Sequence, residues 1–493
     1  MRNREGMSDR LYLLLALLLL AAACFNLFMN LGVKPIEDWD EARHGVSAYE
    51  MLKSGNYAVN TYNGETDYWN LKPPLSFWAV ALGYKLAGFN LLGLRLVSAI
   101  AALLTIAATA GYARYRYGNA ASLVAAAVLI TSTQFIFHHS ARAGDADALF
   151  VLWLTVGMIA LLMTERRPGW IALTGLMFAL AFLTKSWHAG ILLVIAGLYT
   201  VFTRRYREMK PRHLAGFGLA ASLPVLLWLA LRYPHDGFRF VREMIRYDLL
   251  ARSSTAIEQH ANGPTYYLHI LKLYHLEWSA ALLALAVGTA FVMLLRRNRD
   301  ILPLDSDMLG LILWIAVPLL LFSAVSTKIR WYIMPVYPAL ALATAVLLAA
   351  LLRNVRRREG RAALAGAFVL LFLLMESGAV RTASSPDAPD AGPEQALLRK
   401  LPAGDSLREY TLYYYDHPGE DMPQSVVLAS KLYGGMRAAE EGKLQEFRNH
   451  PRSLLLLPRS PANESLIADD KLKIVEASDW GYLVSSEYVK PAP

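Results

Sequence analysis

The 493-residue chain has a single cysteine, Cys24, so it can close no disulfide within itself and offers no cysteine-ligated metal site. Charge is scarce too: Asp, Glu, Lys and Arg make up 18% of the residues and stand in short clusters between long apolar runs. A water-soluble domain spreads its charges over its surface, so this pattern excludes one for most of the chain. No P-loop or dinucleotide fingerprint is present, which argues against consumption of ATP, and no solenoid repeat is visible.

What is abundant is hydrophobicity, at 55%. Leu11 to Leu31, Ser122 to Phe137 and Ala362 to Gly378 approach or exceed the roughly 18–20 apolar residues that cross a hydrocarbon core. Leu11 to Leu31 follows Arg2, Arg4 and Arg10 as a signal peptide does. It is long for one, and Asn26 to Asn30 supplies no small-residue cleavage site, so it reads as a retained first helix.

The net charge of +9 does not point to nucleic acid, because most Lys and Arg fall in short loops between spans, where the cytoplasmic bias for positive charge accounts for them. The clusters taken as cytoplasmic are the N-terminus, Arg114 to Arg116, Arg166 and Arg167, Arg204 to Arg212, Arg296 to Arg299, and Arg353 to Arg361. Residues 32–73, 138–147, 186–188, 232–275, 326–332 and everything after about 380 then face outward. The spans between fall near 11–31, 92–112, 120–137, 148–164, 170–185, 189–203, 213–231, 276–295, 309–325, 333–352 and 362–379. The expected fold is mainly α, a polytopic transmembrane helical bundle of about eleven spans with juxtamembrane helices. Residues 75–90 are apolar, but as a span they would invert every later loop, so they read as a juxtamembrane or re-entrant helix.

Ser384-Ser385-Pro386-Asp387-Ala388-Pro389 reads as a linker, and Leu412 to Tyr415, Ser453 to Leu457 and Lys473 to Val475 read as strands. The expectation is a membrane domain over 1–380, its chemistry in outward loops 32–91, 138–147, 232–275 and 326–332. A small external α/β domain follows over 381–493.

The first outward loop begins acidic, Ile36-Glu37-Asp38-Trp39-Asp40-Glu41-Ala42-Arg43-His44. A carboxylate near apolar surface is pushed toward its neutral form unless a cation restores the charge, so Asp40 beside Arg43 is a candidate general base. The plainer reading is that Asp38 or Asp40 caps the following helix. Further on, Pro73 and Pro74 hold Lys72 at a rigid corner, where an ammonium suits a headgroup phosphate; snorkelling is the bland alternative.

The second outward loop is His138-His139-Ser140-Ala141-Arg142-Ala143-Gly144-Asp145-Ala146-Asp147. Adjacent histidines diverge on a helix, so their spacing does not support a two-histidine metal site, and interfacial hydrogen bonding explains them. Asp147 stands at the threshold of an apolar helix, where ionisable groups are costly and usually functional. Arg246, Tyr247, Arg252, His260 and Tyr266, then Lys328, Arg330, Trp331 and Tyr332, also fall outside, against the positive-inside bias, and Lys185 joins them at a span end. An anionic lipid phosphate accounts for that excess.

These strings together resemble the membrane-embedded glycosyltransferases that use polyprenyl-phosphate sugars, the dolichyl-phosphate-mannose protein mannosyltransferase superfamily, and look most like its bacterial aminoarabinose lipid A transferases. The likeness covers roughly residues 11–350. It rests on Asp40-Glu41-Ala42-Arg43, Met51-Leu52-Lys53-Ser54-Gly55-Asn56-Tyr57, Asn63-Gly64, Lys72-Pro73-Pro74-Leu75, Arg142 with Asp147, Phe182-Leu183-Thr184-Lys185, and Tyr332-Ile333-Met334-Pro335-Val336-Tyr337-Pro338-Ala339-Leu340. The resemblance implies that Asp40 and Asp147 are the catalytic acids and that Lys72, Arg43 and Tyr332 serve the donor phosphate. Lys328, Arg246 and Lys185 are added to the phosphate set from their placement, and Glu41, Asp145 and His260 are candidates for sugar or acceptor contact, although Asp145 has no counterpart in the family pattern. Leu71 stands where relatives often carry Glu, which removes any contact that glutamate makes.

The implied reaction moves one sugar from a polyprenyl-phosphate donor to a lipid, glycan or protein acceptor at the outer face of a bacterial inner membrane, by single displacement with inversion. No cofactor is required and no metal ligand is assigned; a divalent cation stays open. The expected partners are the donor, the acceptor and membrane lipids, with no nucleic acid. A flippase or transporter without transferase chemistry is the alternative, and it predicts broken helices in paired repeats, which the sequence does not display. A scaffold whose loops bind a partner is the third reading.

Overall fold

The computed structural model describes residues 7–257, 260–297, 301–302, 305–385, 392–401, 406–415, 422–439 and 444–486. Arg299 of the fifth basic cluster and linker residues 386–389 lie outside the described residues.

Every expected span coincides with a helix: Asp9–Phe28, Leu91–Tyr117, Asn119–Ile130, Asp147–Met163, Ile171–Lys185, Gly190–Phe202, Pro211–Asp236, Leu276–Arg296, Ser306–Ala324, Tyr337–Asn354 and Arg358–Ser384. Among the described residues, eight helical stretches are long and apolar enough to cross a membrane. The count falls below eleven for two reasons. Asn119–Ile130 and Asp147–Met163 are short, and Ile171–Lys185 runs through a 3-10 turn, Ser186–Ala189, into Gly190–Phe202. Residues 75–90 hold the short apolar helix Leu75–Ala87.

The chain divides into two compact units: Met1–Met29, Leu71–Ser76 and Val97–Ser385, and Asn30–Asn70, Phe77–Leu96 and Pro386–Pro493. In unit one, Asn119–Ile130 is buried along nearly its whole length and packs on Tyr337–Asn354. Ile171–Lys185 packs on both Asp147–Met163 and Pro211–Asp236. At Gly175 a Cβ would come within 2.5 Å of the Phe217 carbonyl oxygen, so glycine is what lets those helix backbones approach. Pro211–Asp236 exposes Leu219, Leu223, Leu226, Leu227 and Leu231, an apolar surface stable only against lipid.

Unit two differs from the expected division at 380, because residues 30–70 and 77–96 fold with the C-terminal region. Ile36, Val46, Tyr49, Val80 and Tyr84 share one apolar core with Leu397, Leu412, Val426, Leu428 and Leu454. Its hairpin, β1 (Thr61–Tyr62) and β2 (Glu65–Thr66), turns on Asn63-Gly64 with φ of 55° and 91°, the left-handed values this dipeptide accepts most readily. A five-stranded sheet follows, of β3 (Thr411–Tyr414), β4 (Arg437–Ala438), β5 (Ser453–Pro458), β6 (Lys473–Ala477) and β7 (Gly481–Ser485), in the order β4-β3-β5-β7-β6. β3 runs parallel to β4 and β5, and β7 is antiparallel to β5 and β6.

Candidate active site

Asp147 is the first residue of Asp147–Met163, and its amide donates to Asp145 Oδ1 at 2.9 Å. Lys185 ends the helix packed beside it, which brings the ammonium onto Asp147 Oδ1. Both residues are buried, at 2% and 4% exposure, and a buried charge persists only when so paired. His139 adopts a left-handed backbone, φ 56°, that folds its ring back. Its Nε2 lies 3.3 Å from Asp145 Oδ2 and 3.9 Å from Asp147 Oδ2, and the ring stacks on Trp331 at 3.7 Å.

His138 turns away to Tyr274, 4.8 Å between rings, so the two histidines diverge as their adjacency dictates. One ligand atom each from His139, Asp145 and Asp147 lies within 4.8 Å of the others, so this trio could hold a cation. That grouping escapes a reading by spacing, since it depends on one left-handed residue.

Beyond Lys185 the helix stops at Ser186, φ 48°, and the 3-10 turn carries His188 between aromatic rings: Tyr332 at 4.7 Å and Phe322 at 5.7 Å. Lys185, Arg252 and Lys72 all act on His188 electrostatically. Lys185 Nζ lies 5.7 Å from the Tyr332 ring, and Arg252 Nη1 makes a long contact, 3.5 Å, with the Tyr332 hydroxyl. Asp248 pairs with Arg252 at 3.2 Å and accepts from Ser186 Oγ at 3.3 Å, while Trp187 Nε1 donates to the Met244 carbonyl at 3.0 Å. Three cations thus converge on an aromatic recess in unit one.

Other expected residues have different surroundings. Lys328 donates from Nζ to the Val325 carbonyl at 2.6 Å, and its amide donates to the His260 carbonyl, which ties residues 260–262 to 326–328. Arg246 is exposed, on the side of its helix away from Met244, Asp248 and Arg252. Arg142 caps the end of the first helix, donating to the carbonyls of Asn26, Leu27 and Met29.

In unit two, Asp40 opens Asp40–Ser54 half-buried, its carbonyl 2.6 Å from His44 Nδ1. Trp39, not an aspartate, takes the N-cap position with φ 70°, and Asp38 instead accepts from Ser425 N at 2.7 Å in the first turn of Gln424–Leu432. Glu41 is fully buried and held by Arg95 through two 2.7 Å bonds, where contact with sugar or acceptor was expected. Arg43, expected at the phosphate, bonds Asp67 at 2.8 Å and Gln424 at 3.1 Å and lies over the rings of Tyr62 and Trp69. Burial pushes the Tyr62 phenol well above its ordinary range, so it stays neutral beneath the guanidinium.

Residues missed as site members are Arg252, Asp248, His188, His139 and Trp331. Arg252 and Trp331 already stood among the outward cations and aromatics. His188 and Asp248 gave no local signal.

Residues 71–228 match the family described as dolichyl-phosphate-mannose-protein mannosyltransferase. The fold superposes on the crystal structure of ArnT from Cupriavidus metallidurans bound to undecaprenyl phosphate, with a TM-score of 0.72 at 17% identity, covering 99% of this chain and 100% of that one. The oligosaccharyltransferase of Archaeoglobus fulgidus gives 0.54 at 12% identity, over 88% and 65%. The fold is therefore the one these two solved structures share, and the chain is a multi-pass membrane protein.

In sequence, the chain is 32% identical over 308 residues to the undecaprenyl phosphate-alpha-4-amino-4-deoxy-L-arabinose arabinosyl transferase 1 of Pseudomonas fluorescens, covering 60% of this chain and 51% of the relative. A Pseudomonas aeruginosa enzyme of the same description is 31% identical over 345 residues, 66% and 58%. The sequence match thus spans a little over half the length of these curated relatives. The resemblance read from the loop motifs is shown by sequence and by fold alike.

Proposed function

We propose that the chain transfers a single sugar from a polyprenyl-phosphate donor to a lipid, glycan or protein acceptor at the outer face of a bacterial inner membrane. Undecaprenyl phosphate-aminoarabinose and lipid A are the first pair to test. The observation that carries the reading is the convergence of Lys72, Lys185 and Arg252 on the recess of Tyr332 and His188.

In the reaction the acceptor oxygen attacks the anomeric carbon and the bond from that carbon to the phosphate oxygen breaks. The electron pair leaves with polyprenyl phosphate. Charge grows on the phosphate oxygens as the bond lengthens, and cations fixed around a water-poor recess stabilise it without reorganising. Asp147 holds Lys185 in place and limits the local positive charge. The acceptor's proton goes to Asp40, on the reading of the first loop. One displacement inverts the anomeric centre. No divalent cation is required, because Lys185 already faces Asp147; His139, Asp145 and Asp147 are where one would bind.

The test is transfer of radiolabelled sugar from a panel of polyprenyl-phosphate donors to total membrane acceptors, by the full chain and its Asp40→Asn variant in parallel. Transfer by the parent, reduced at least about a hundredfold in the variant, is expected for loss of a general base. No transfer from any donor by folded protein moves the weight to a transporter or scaffold. Activity that survives EDTA fits the cation-free mechanism; loss restored by a divalent ion makes that ion part of the reaction, with His139, Asp145 and Asp147 the ligands to replace next.

A further inference from the structure

The helical segment from Arg239 to Ser254 has two faces with different surroundings. Its middle, Met244–Ala251, is wound as a π-helix, a rare form that gathers at functional positions. Met244, Asp248 and Arg252, spaced four apart, face the recess and are engaged there by Trp187, Ser186 and Tyr332. Away from them lies a groove of about 370 Å³ lined by Phe238, Val241, Arg242, Ile245, Arg246 and Leu250.

Phe238, Ile245 and Leu250 are 61%, 38% and 59% exposed, and Arg242 and Arg246, also exposed, have no hydrogen-bond or ion-pair partner among the described residues. Two guanidiniums four residues apart stand nearly one above the other on a helix and present a forked donor set matched to phosphate oxygens. Apolar side chains beside two cations, just past the end of the candidate span Pro211–Asp236, are complementary to one class of molecule.

We propose that this groove binds a membrane phospholipid, its phosphate on Arg242 and Arg246 and its acyl chains along Phe238, Val241, Ile245 and Leu250, at a site separate from the recess of Tyr332. The opposite face of the same segment carries Asp248 and Arg252, so a lipid seated here steadies the helix that presents Arg252. The inference stands whichever reaction the recess performs.

The test is native mass spectrometry of the full chain in detergent, titrated with phosphatidylglycerol. The expected result is one retained lipid per chain. The Arg242→Gln/Arg246→Gln double variant should weaken retention about tenfold or more with its melting temperature unchanged, since both side chains are exposed and only the charge-assisted bonds are lost. Phe238→Ser/Leu250→Ser should also weaken it, whereas glycerol phosphate at equal concentration should not compete. Equal retention by the double variant overturns the proposal. Displacement of the lipid by equimolar polyprenyl phosphate also overturns it, because the lipid would then be in the recess.

Discussion

Both ends of the helical bundle in unit one carry a buried aspartate paired with a cation, yet the two pairs sit in different immediate surroundings. At the end where Asp147–Met163 finishes, Arg116 pairs with Asp307, lies 3.2 Å from Glu165 and 4.0 Å from Asp305, while Arg205 reaches Glu165 and Glu208. Two arginines there meet four carboxylates, and Tyr112 and Tyr199 stand close to Asp307. At the other end Asp147 pairs with Lys185, Asp248 with Arg252, and Asp145 lies beside His139, while Lys72, Lys185 and Arg252 all act on His188 among aromatic rings. The cluster around Asp307 has more carboxylates than arginines and absorbs both arginines into structure. The cluster around Asp147 has as many cations as carboxylates, which on the proposed reading leaves positive charge for an anion, and that difference separates the two pairs more clearly than burial does.

The sharpest way to break this comparison is to remove one cation from each end. Lys185→Met leaves Asp147 buried and unpaired and withdraws charge from the recess, so transfer should fall at least about a hundredfold. Arg116→Met should instead lower stability by about 2–3 kcal/mol, through the unpaired Asp307, while activity per folded molecule stays within about twofold. Melting temperature and initial rate on the same preparations decide it. Loss of rate in strict proportion to loss of stability at both ends would erase the distinction.

His275 sharpens the comparison with pH. It precedes Leu276–Arg296, is 2% exposed and packs on the Tyr337 ring at 5.0 Å, and burial pushes its pKa down to about 3. In the unfolded chain it protonates near 6.5. Between those values the unfolded state binds more protons, so the stability His275 allows is full above pH 6.5 and declines as pH falls. The parent should lose up to about 2 kcal/mol from this group between pH 7 and 5, and His275→Phe should lose correspondingly less. Parallel thermal melts across that range would refute the assignment.

What the sequence revealed follows from which features are local. Apolar runs and the positive bias of cytoplasmic loops are properties of contiguous residues, so helix positions from Asp9 to Ser384 were legible. Partnerships across long separations were not. Asp147 and Lys185 were each singled out, one as an acid and one as a phosphate ligand, but their union depends on the register of two packed helices. Glu41 drew attention as a free carboxylate because Arg95, 54 residues away, is invisible beside it. Arg246 and Arg252 looked equivalent as outward cations until the winding of one helix put them on different faces. The core that joins the first loop to the C-terminal region needed the same long-range knowledge.

The smallest effect belongs to Tyr332, where the comparison can be made one atom at a time. Tyr332→Phe keeps the ring near His188 and Lys185 and removes only the hydroxyl in long contact with Arg252. A 3.5 Å contact contributes about 1 kcal/mol or less, so the donor KM should rise about threefold to fivefold with kcat little changed, the signature of uniform binding. Tyr199→Phe, the same deletion beside the Asp307 cluster, should change neither constant. A hundredfold fall in kcat for Tyr332→Phe would mean that the phenol itself handles a proton, and the recess would then be a centre of acid-base chemistry, not an anion cradle.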